Sequence, residues 1–152
     1  MAVSMFPHTV TVYTITEDQV TFESVTNITV LRGVLVEAAK AANVKTSGLE
    51  NADAVTVYVP FAVEAVDGLT GAAKTYAPPK EYHAAADKSA LWTLDPAPPS
   101  DVSVFLVKGE VVDPGKDYQW INRTHDDVYR ISSVDTKDYG TADMQHWEIG
   151  GR

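Results

Sequence analysis

The sequence has no cysteine among its 152 residues. That absence excludes a disulfide scaffold, a zinc site built on thiolates and a cysteine nucleophile. No apolar run reaches the roughly 18 residues that suggest a membrane-spanning helix. Residues 1–7 also lack the basic stretch and the long apolar core of a signal peptide. We therefore expect a protein of the cytoplasm, or of a particle assembled there, with no membrane partner.

Basic residues are scarce as well. The chain has 12 Lys and Arg against 21 Asp and Glu, which gives a net charge of −9. Affinity for nucleic acid depends mostly on cationic side chains that neutralise phosphates. Such an acidic chain is a poor candidate for a dedicated DNA- or RNA-binding protein. DNA could still pass through a ring of such subunits without being gripped, because like charges repel.

No catalytic signature is present. The sequence lacks a GxSxG elbow, a phosphate-binding glycine loop and an HExxH pair. The most ligand-like cluster is His125-Asp126-Asp127. Adjacent side chains on a strand point to opposite faces, so these three could converge only in a loop, and a polar turn explains them better. We expect no enzyme, no cofactor and no metal site.

The chain is rich in short segments of Val, Thr, Ile and Tyr that are separated by turn residues. Alternation of apolar and polar residues is typical of half-buried strands. Gly33 interrupts one segment and predicts a bulge or a sharp bend. The predicted strands cover residues 8–15, 28–37, 54–59, 91–94, 102–107, 128–134 and 145–149, and residues 22–24 are a further candidate for a short return strand. About seven strands predict an all-β fold, a small barrel or sandwich with long loops and at most one short helix.

We expect a single domain over residues 1–152, with an irregular insertion at about 62–100. Prolines and glycines interrupt the insertion repeatedly, and residues 82–88 could form about two helical turns. It is an elaborated connection within the domain, because its aromatic residues need a place to pack. Residues 38–52 are predicted to be a long loop between two strands, with at most one helical turn.

Three tryptophans are candidates for an interface, because aromatic side chains dominate binding hot spots. Core packing is the alternative for each of them, and it is favoured for Trp147, which lies within a predicted strand. Trp120 precedes a polar turn, which predicts partial exposure. The set of candidate interface residues is Trp92, Trp120, Trp147 and Arg152.

Three stretches of the sequence resemble small proteins from the head–tail joining region of tailed bacteriophages. They are Met5-Phe-Pro-His-Thr-Val-Thr-Val-Tyr13, the run from Gly33-Val-Leu through residues 42–60, and residues 127–140 together with Gln145-His-Trp-Glu-Ile149. These strings cover about half of the chain, and none is a catalytic signature. Proteins of this group are often called minor capsid or head-closure (stopper) proteins.

The resemblance implies a β-barrel subunit of a homo-oligomeric ring, a hexamer, below a dodecameric adaptor in the neck of the virion. Such a ring closes the head and retains the packaged DNA until the tail docks, and it is assembled in the host cytoplasm. Its partners would be other copies of itself, the portal-side adaptor and tail proteins. A tail terminator, tail-completion or capsid-associated protein is the alternative, and an unrelated binding module or enzyme is a more distant one.

Under this resemblance, the loop at 38–52 is the candidate for the DNA channel. Its small residues tolerate crowding around a symmetry axis, and its lysines could make non-specific contact with DNA. The candidate channel residues are Lys40, Asn43, Lys45 and Ser47. A cyclic ring also needs two different patches on each subunit that meet each other. Residues 62–100 and 147–152 are the candidates for those patches.

Overall fold

The computed structural model describes residues 6–18, 20–40 and 53–152. Its elements in chain order are β1 (His8–Glu17), β2 (Ser24–Lys40), β3 (Asp53–Pro60), β4 (Glu64–Asp67), β5 (Thr75–Tyr76), α1 (Pro79–Ala84), β6 (Leu91–Trp92), β7 (Val102–Lys108), α2 (Tyr118–Thr124), β8 (Val128–Lys137), a 3₁₀ helix (Ala142–Met144) and β9 (His146–Gly151). The all-β prediction is confirmed, although this part of the chain has two short α-helices where at most one was expected. Within the described ranges, no helix has the length and apolar character needed to cross a membrane.

Seven of the strands form one sheet that closes on itself. The order is β1-β7-β8-β9-β3-β2, and β2 pairs again with β1, so the sheet forms a barrel. β4 and β3 pair with the same edge of β2. β4 pairs with residues 29–32 of β2, and β3 pairs with residues 35–40. Neighbouring strands in this sheet are antiparallel, whereas β5 and β6 form a separate parallel pair. Closure pairs strand edges that an open sheet would leave free.

Two long strands bend to make this closure possible. β2 pairs with β1 as far as Val34 and with β3 from Leu35 onward, and Gly33 is skipped in the register with β1. β8 shows the same kind of register shift between Ile131 and Ser133, where its pairing passes from β7 to β9. One extra residue on a strand makes a β-bulge, which bends the strand and increases its twist. The bulge predicted at Gly33 is confirmed.

Substitution of Gly33 tests how much this bend depends on glycine. Gly33 has a φ of +89°, and an added Cβ would meet no atom within 4 Å, so the cost is backbone strain alone. We expect Gly33→Val to lower the free energy of unfolding by about 1–3 kcal/mol. Gly33→Asn should cost less, because asparagine enters the positive-φ region more readily. Urea denaturation measures both, and equal stability of the two variants would contradict this explanation.

The core lies on both faces of β1. Val10 and Val12 face the interior of the barrel, while Tyr13 and Ile15 belong to a second cluster outside it. The second cluster is covered by α2, whose Ile121 is fully buried. β1 begins where a strand was predicted. The prediction that only one of its faces is buried is wrong, because residues 10–15 are all buried. The outer face is covered by α2, a helix that the sequence did not predict.

Residues 62–100 pack as part of the core and contain β4, β5, α1 and β6, so they are more regular than predicted. Trp92 and Trp147 are only 3% and 7% exposed. The ring of Trp147 lies 4.3 Å from that of Tyr76, 4.4 Å from that of Phe61 and 5.6 Å from that of Trp92, measured between centroids. Both side chains therefore pack in the core, which was the alternative to an interface role for Trp92 and the favoured interpretation for Trp147.

Candidate functional site

The predicted channel loop lies mostly outside the described residues. β2 continues through Lys40, which corrects the predicted start of the loop at residue 38. Asn43, Lys45 and Ser47 fall outside the described ranges. The structure therefore does not test the prediction that this loop lines a DNA channel. The segment between β2 and β3 is shorter than the predicted loop at 38–52.

Trp120 and Arg152 are the predicted interface residues that reach the surface. Trp120 is half-buried on α2, and the Nζ of Lys116 lies 4.9 Å from the centroid of its ring. Arg152 is exposed directly after β9. Its main chain exchanges two hydrogen bonds with Arg130 of β8, at 2.9 and 3.0 Å. The structure thus places Arg152 next to a second arginine, a neighbour that no sequence pattern predicted.

A cleft of about 200 Å³ opens beside Arg130. β8 pairs with β7 only over Val128–Arg130, so the two strands separate beyond this point. The walls of the cleft are formed by prolines of the insertion, the first half of β7, Tyr118 and Ile131. The guanidinium of Arg130 lies 4.0 Å from the centroid of the Tyr118 ring. This cation–π contact holds a positive charge at the rim of the cleft, whose lining is partly apolar and partly polar.

The turn between β1 and β2 is closed by a compact set of hydrogen bonds. Oδ1 of Asp18 accepts from the N–H groups of Val20 and Thr21 at 2.8 and 3.2 Å. The N–H of Asp18 donates to the carbonyl of Glu23, and the N–H of Phe22 donates to the carbonyl of Asp18, both at 2.8 Å. The N–H groups of Val20 and Thr21 lower the pKa of Asp18. The carboxylate is therefore a fixed part of the turn.

This turn displays apolar side chains in water. Val20 is 86% exposed and Phe22 is 74% exposed. Phe22 also has a φ of +58°, a conformation that costs energy for a residue with a bulky side chain. Exposed apolar groups on a rigid turn favour a role in protein–protein contact. The sequence did not predict this feature, because residues 22–24 were assigned to a short strand, whereas β2 begins only at Ser24.

A larger cleft of about 480 Å³ lies between the β1–β2 hairpin and the loop after α1. Two of its lining residues, Asn27 and Asp67, contact the buried ammonium group of Lys74. Nζ of Lys74 is 3.3 Å from Oδ2 of Asp67, and it also donates to the carbonyl of Ile28 at 3.2 Å and to Oγ1 of Thr29 at 3.1 Å. Asn27 in turn donates to the Tyr82 hydroxyl, to the carbonyl of Lys88 in the loop and to the carbonyl of Leu91 in β6, at 2.8–3.1 Å.

Burial lowers the pKa of Lys74, and the carboxylate of Asp67 opposes this effect. Burial also acts to raise the pKa of Asp67, but the N–H groups of Leu69 and Thr70 together with Lys74 outweigh it and lower that pKa. An ammonium group has three donors, and here they face four acceptors. Lys74 therefore has no donor to spare for a ligand, and its arrangement is that of a structural cation.

A model for a family of unknown function, DUF6751, matches residues 5–152. The chain belongs to the DUF6751 family. No curated protein and no solved structure matches it. The match spans the hairpin turn, the arginine pair and both clefts, so these features all lie within the DUF6751 domain.

Three histidines of this DUF6751 domain pair with carboxylates. The pairs are His83–Asp95 at 2.8 Å, His125–Asp113 at 2.9 Å and His146–Glu148 at 3.1 Å. In the part of the chain that the structure describes, no group of three or more His, Asp or Glu could hold a metal ion. His125 pairs with Asp113. Asp113 precedes α2 and His125 follows it, so this contact joins the two ends of the segment 113–125 that contains the helix.

Proposed function

We propose that this chain is a structural protein of a tailed-phage neck. Several copies form a ring between the portal-side adaptor and the tail, close the head and retain the packaged DNA. The observation that carries the proposal is the hydrogen-bonded hairpin turn, which exposes Val20 and Phe22 on an otherwise closed barrel. A small barrel with a rigid apolar projection is suited to assembly with other subunits. The resemblance of the sequence to head–tail joining proteins supports the same role.

The charge of the chain is compatible with a channel for DNA. A net charge of −9 on each subunit would prevent packaged DNA from adhering to the wall of the ring. Retention of DNA then depends on a steric constriction. In this proposal the constriction is formed by the end of β2 and the segment between β2 and β3, with Lys40, Lys45 and their neighbours facing the axis.

A nonsense mutation in the gene of the phage that encodes this chain tests the proposal. We expect non-permissive infection to yield heads that have lost their DNA, together with complete free tails, in negative-stain electron micrographs. Complementation in trans should restore infectious particles. Filled heads with tails of irregular length would instead indicate a tail terminator. Normal infectious particles without this chain would contradict any essential role in assembly.

A further inference from the structure

The turn between β1 and β2 is acidic as well as apolar. Glu17, Asp18 and Glu23 are all exposed and surround the exposed Val20 and Phe22. Residues 17–18 and 20–23, called the acidic turn below, thus combine an apolar tip with negative charge. A surface of this kind fits a partner that offers a partly apolar cleft with a positively charged rim.

The same chain offers such a cleft. Arg130 and Arg152 form a directly opposed main-chain pair, which places their side chains on the same face of the sheet. Both residues are exposed. Among the described residues, no salt bridge joins either guanidinium to a carboxylate. These two residues are called the basic corner below. Arg130 lines the cleft between β7 and β8, and Arg152 is paired with Arg130. In a chain with 12 basic and 21 acidic residues, two adjacent unpaired arginines are a distinct positive site.

The size of the cleft suits one side chain from the acidic turn. Its volume is about 200 Å³, and an apolar cavity of about 150 Å³ is large enough to bind benzene. Val104, Phe105 and Ile131 contribute to its walls. The ring of Phe22 is the largest exposed apolar group of the turn and fits this space.

The two surfaces lie at the same end of the barrel but on different sides of β7. Thr16 of β1 pairs with Val102 at the start of β7, so the acidic turn extends from one edge of that strand. The cleft opens at the other edge, where β8 diverges. Two different patches at similar height on one subunit can form a head-to-tail contact, and such a contact generates a ring when the rotation between successive copies closes.

We propose that the acidic turn of one copy docks on the basic corner of the next copy, with Phe22 in the cleft beside Arg130. This inference rests on the proposed function, because it names the contact between neighbouring subunits of the ring. The partner is a second copy of this chain, since the complementary surfaces are both present on it. Glu17 and Glu23 pair with the arginines, and the interaction weakens as salt rises.

Site-specific cross-linking measures this contact, and the absence of native cysteine makes it clean. One protein carries Val20→Cys in the acidic turn, and a second carries Ser103→Cys at the cleft; both positions are exposed. The control pairs Val20→Cys with Thr136→Cys, which is exposed near the far end of β8. In an equimolar mixture of full-length chains with a mild oxidant, we expect the Val20–Ser103 heterodimer to form at least about tenfold faster than the control.

Charge reversal provides the second readout. Adding Arg130→Glu to the Ser103→Cys protein should slow the cross-link about tenfold, and adding Glu23→Arg to the Val20→Cys protein should restore it. Circular dichroism and thermal unfolding check that each variant is folded. Equal rates for the cleft and control positions, or no rescue by the charge swap, would overturn the interface. Binding of a short DNA duplex to the basic corner, with no Val20–Ser103 cross-link, would also overturn it.

The two tests fail in distinguishable ways. Loss of DNA from heads without this chain, combined with no specific cross-link, would keep the neck role and reject only this contact. A specific cross-link combined with normal particles from the nonsense mutant would keep the self-association and reject the neck role.

Discussion

Replacing Trp147 by alanine should lower the free energy of unfolding by about 3–5 kcal/mol, the range for large aromatic residues removed from a core. Trp147 contacts the rings of Phe61, Tyr76 and Trp92, and is only 7% exposed. Because two of these partners come from the insertion, the substitution removes the contact that holds residues 62–100 to β9. Equilibrium denaturation in guanidinium chloride, followed by tryptophan fluorescence and circular dichroism, measures the loss.

Trp120→Ala is the matched control for that experiment. Trp120 is half-buried on α2 and its ring is partly open to solvent. We expect its removal to cost less than half as much as the removal of Trp147, because fewer buried contacts are lost. A larger loss from Trp120→Ala than from Trp147→Ala would contradict the placement of the two side chains.

Replacing Lys74 by methionine should also be strongly destabilising, by about 3 kcal/mol. Methionine has a similar shape but cannot donate hydrogen bonds. It would leave the carboxylate of Asp67 without its counter-charge, and the carbonyl of Ile28 and the hydroxyl of Thr29 without their donor. Lys80→Met, at an exposed position, is the control and should change the stability little.

The effect of Lys74→Met should depend on pH in a specified direction. The folded state holds the pKa of Asp67 below its ordinary value of 3.8. A lowered carboxyl pKa contributes stability above the unfolded value, and this contribution disappears as the pH falls through the folded pKa. The difference in stability between wild type and Lys74→Met should therefore narrow as the pH falls below 3.8. A difference that stays constant over this range would show that Lys74 acts without Asp67.

The barrel strands were largely predictable from local sequence. Val and Thr alternation identified β1, β3, β7 and β8, and Gly33 identified the bulge in β2, because both signals depend on residues within one element. The helix α2 was missed, since seven residues give little periodicity. Its one local signal was Asp117, whose side chain accepts from the N–H of Trp120 at 2.8 Å as an N-cap.

The candidate site depended on contacts that no local pattern contains. Lys74 lies 47 residues from Asn27 in sequence, yet the two side chains share a hydrogen bond. Arg130 and Arg152 become neighbours only when β8 and the residues after β9 pair. The tryptophans show the same limit. Their size predicted either a core or an interface, and the packing of the insertion decided between the two for Trp92 and Trp147.

The central claim is that this chain forms a ring between the head and the tail. Electron cryo-microscopy of the neck of the virion, with this chain traced into the density, tests that claim most directly. We expect a closed ring between the adaptor and the tail, with residues 41–52 nearest the axis and the acidic turn of each subunit against Arg130 of its neighbour. A neck whose density is fully accounted for by other chains would contradict the claim.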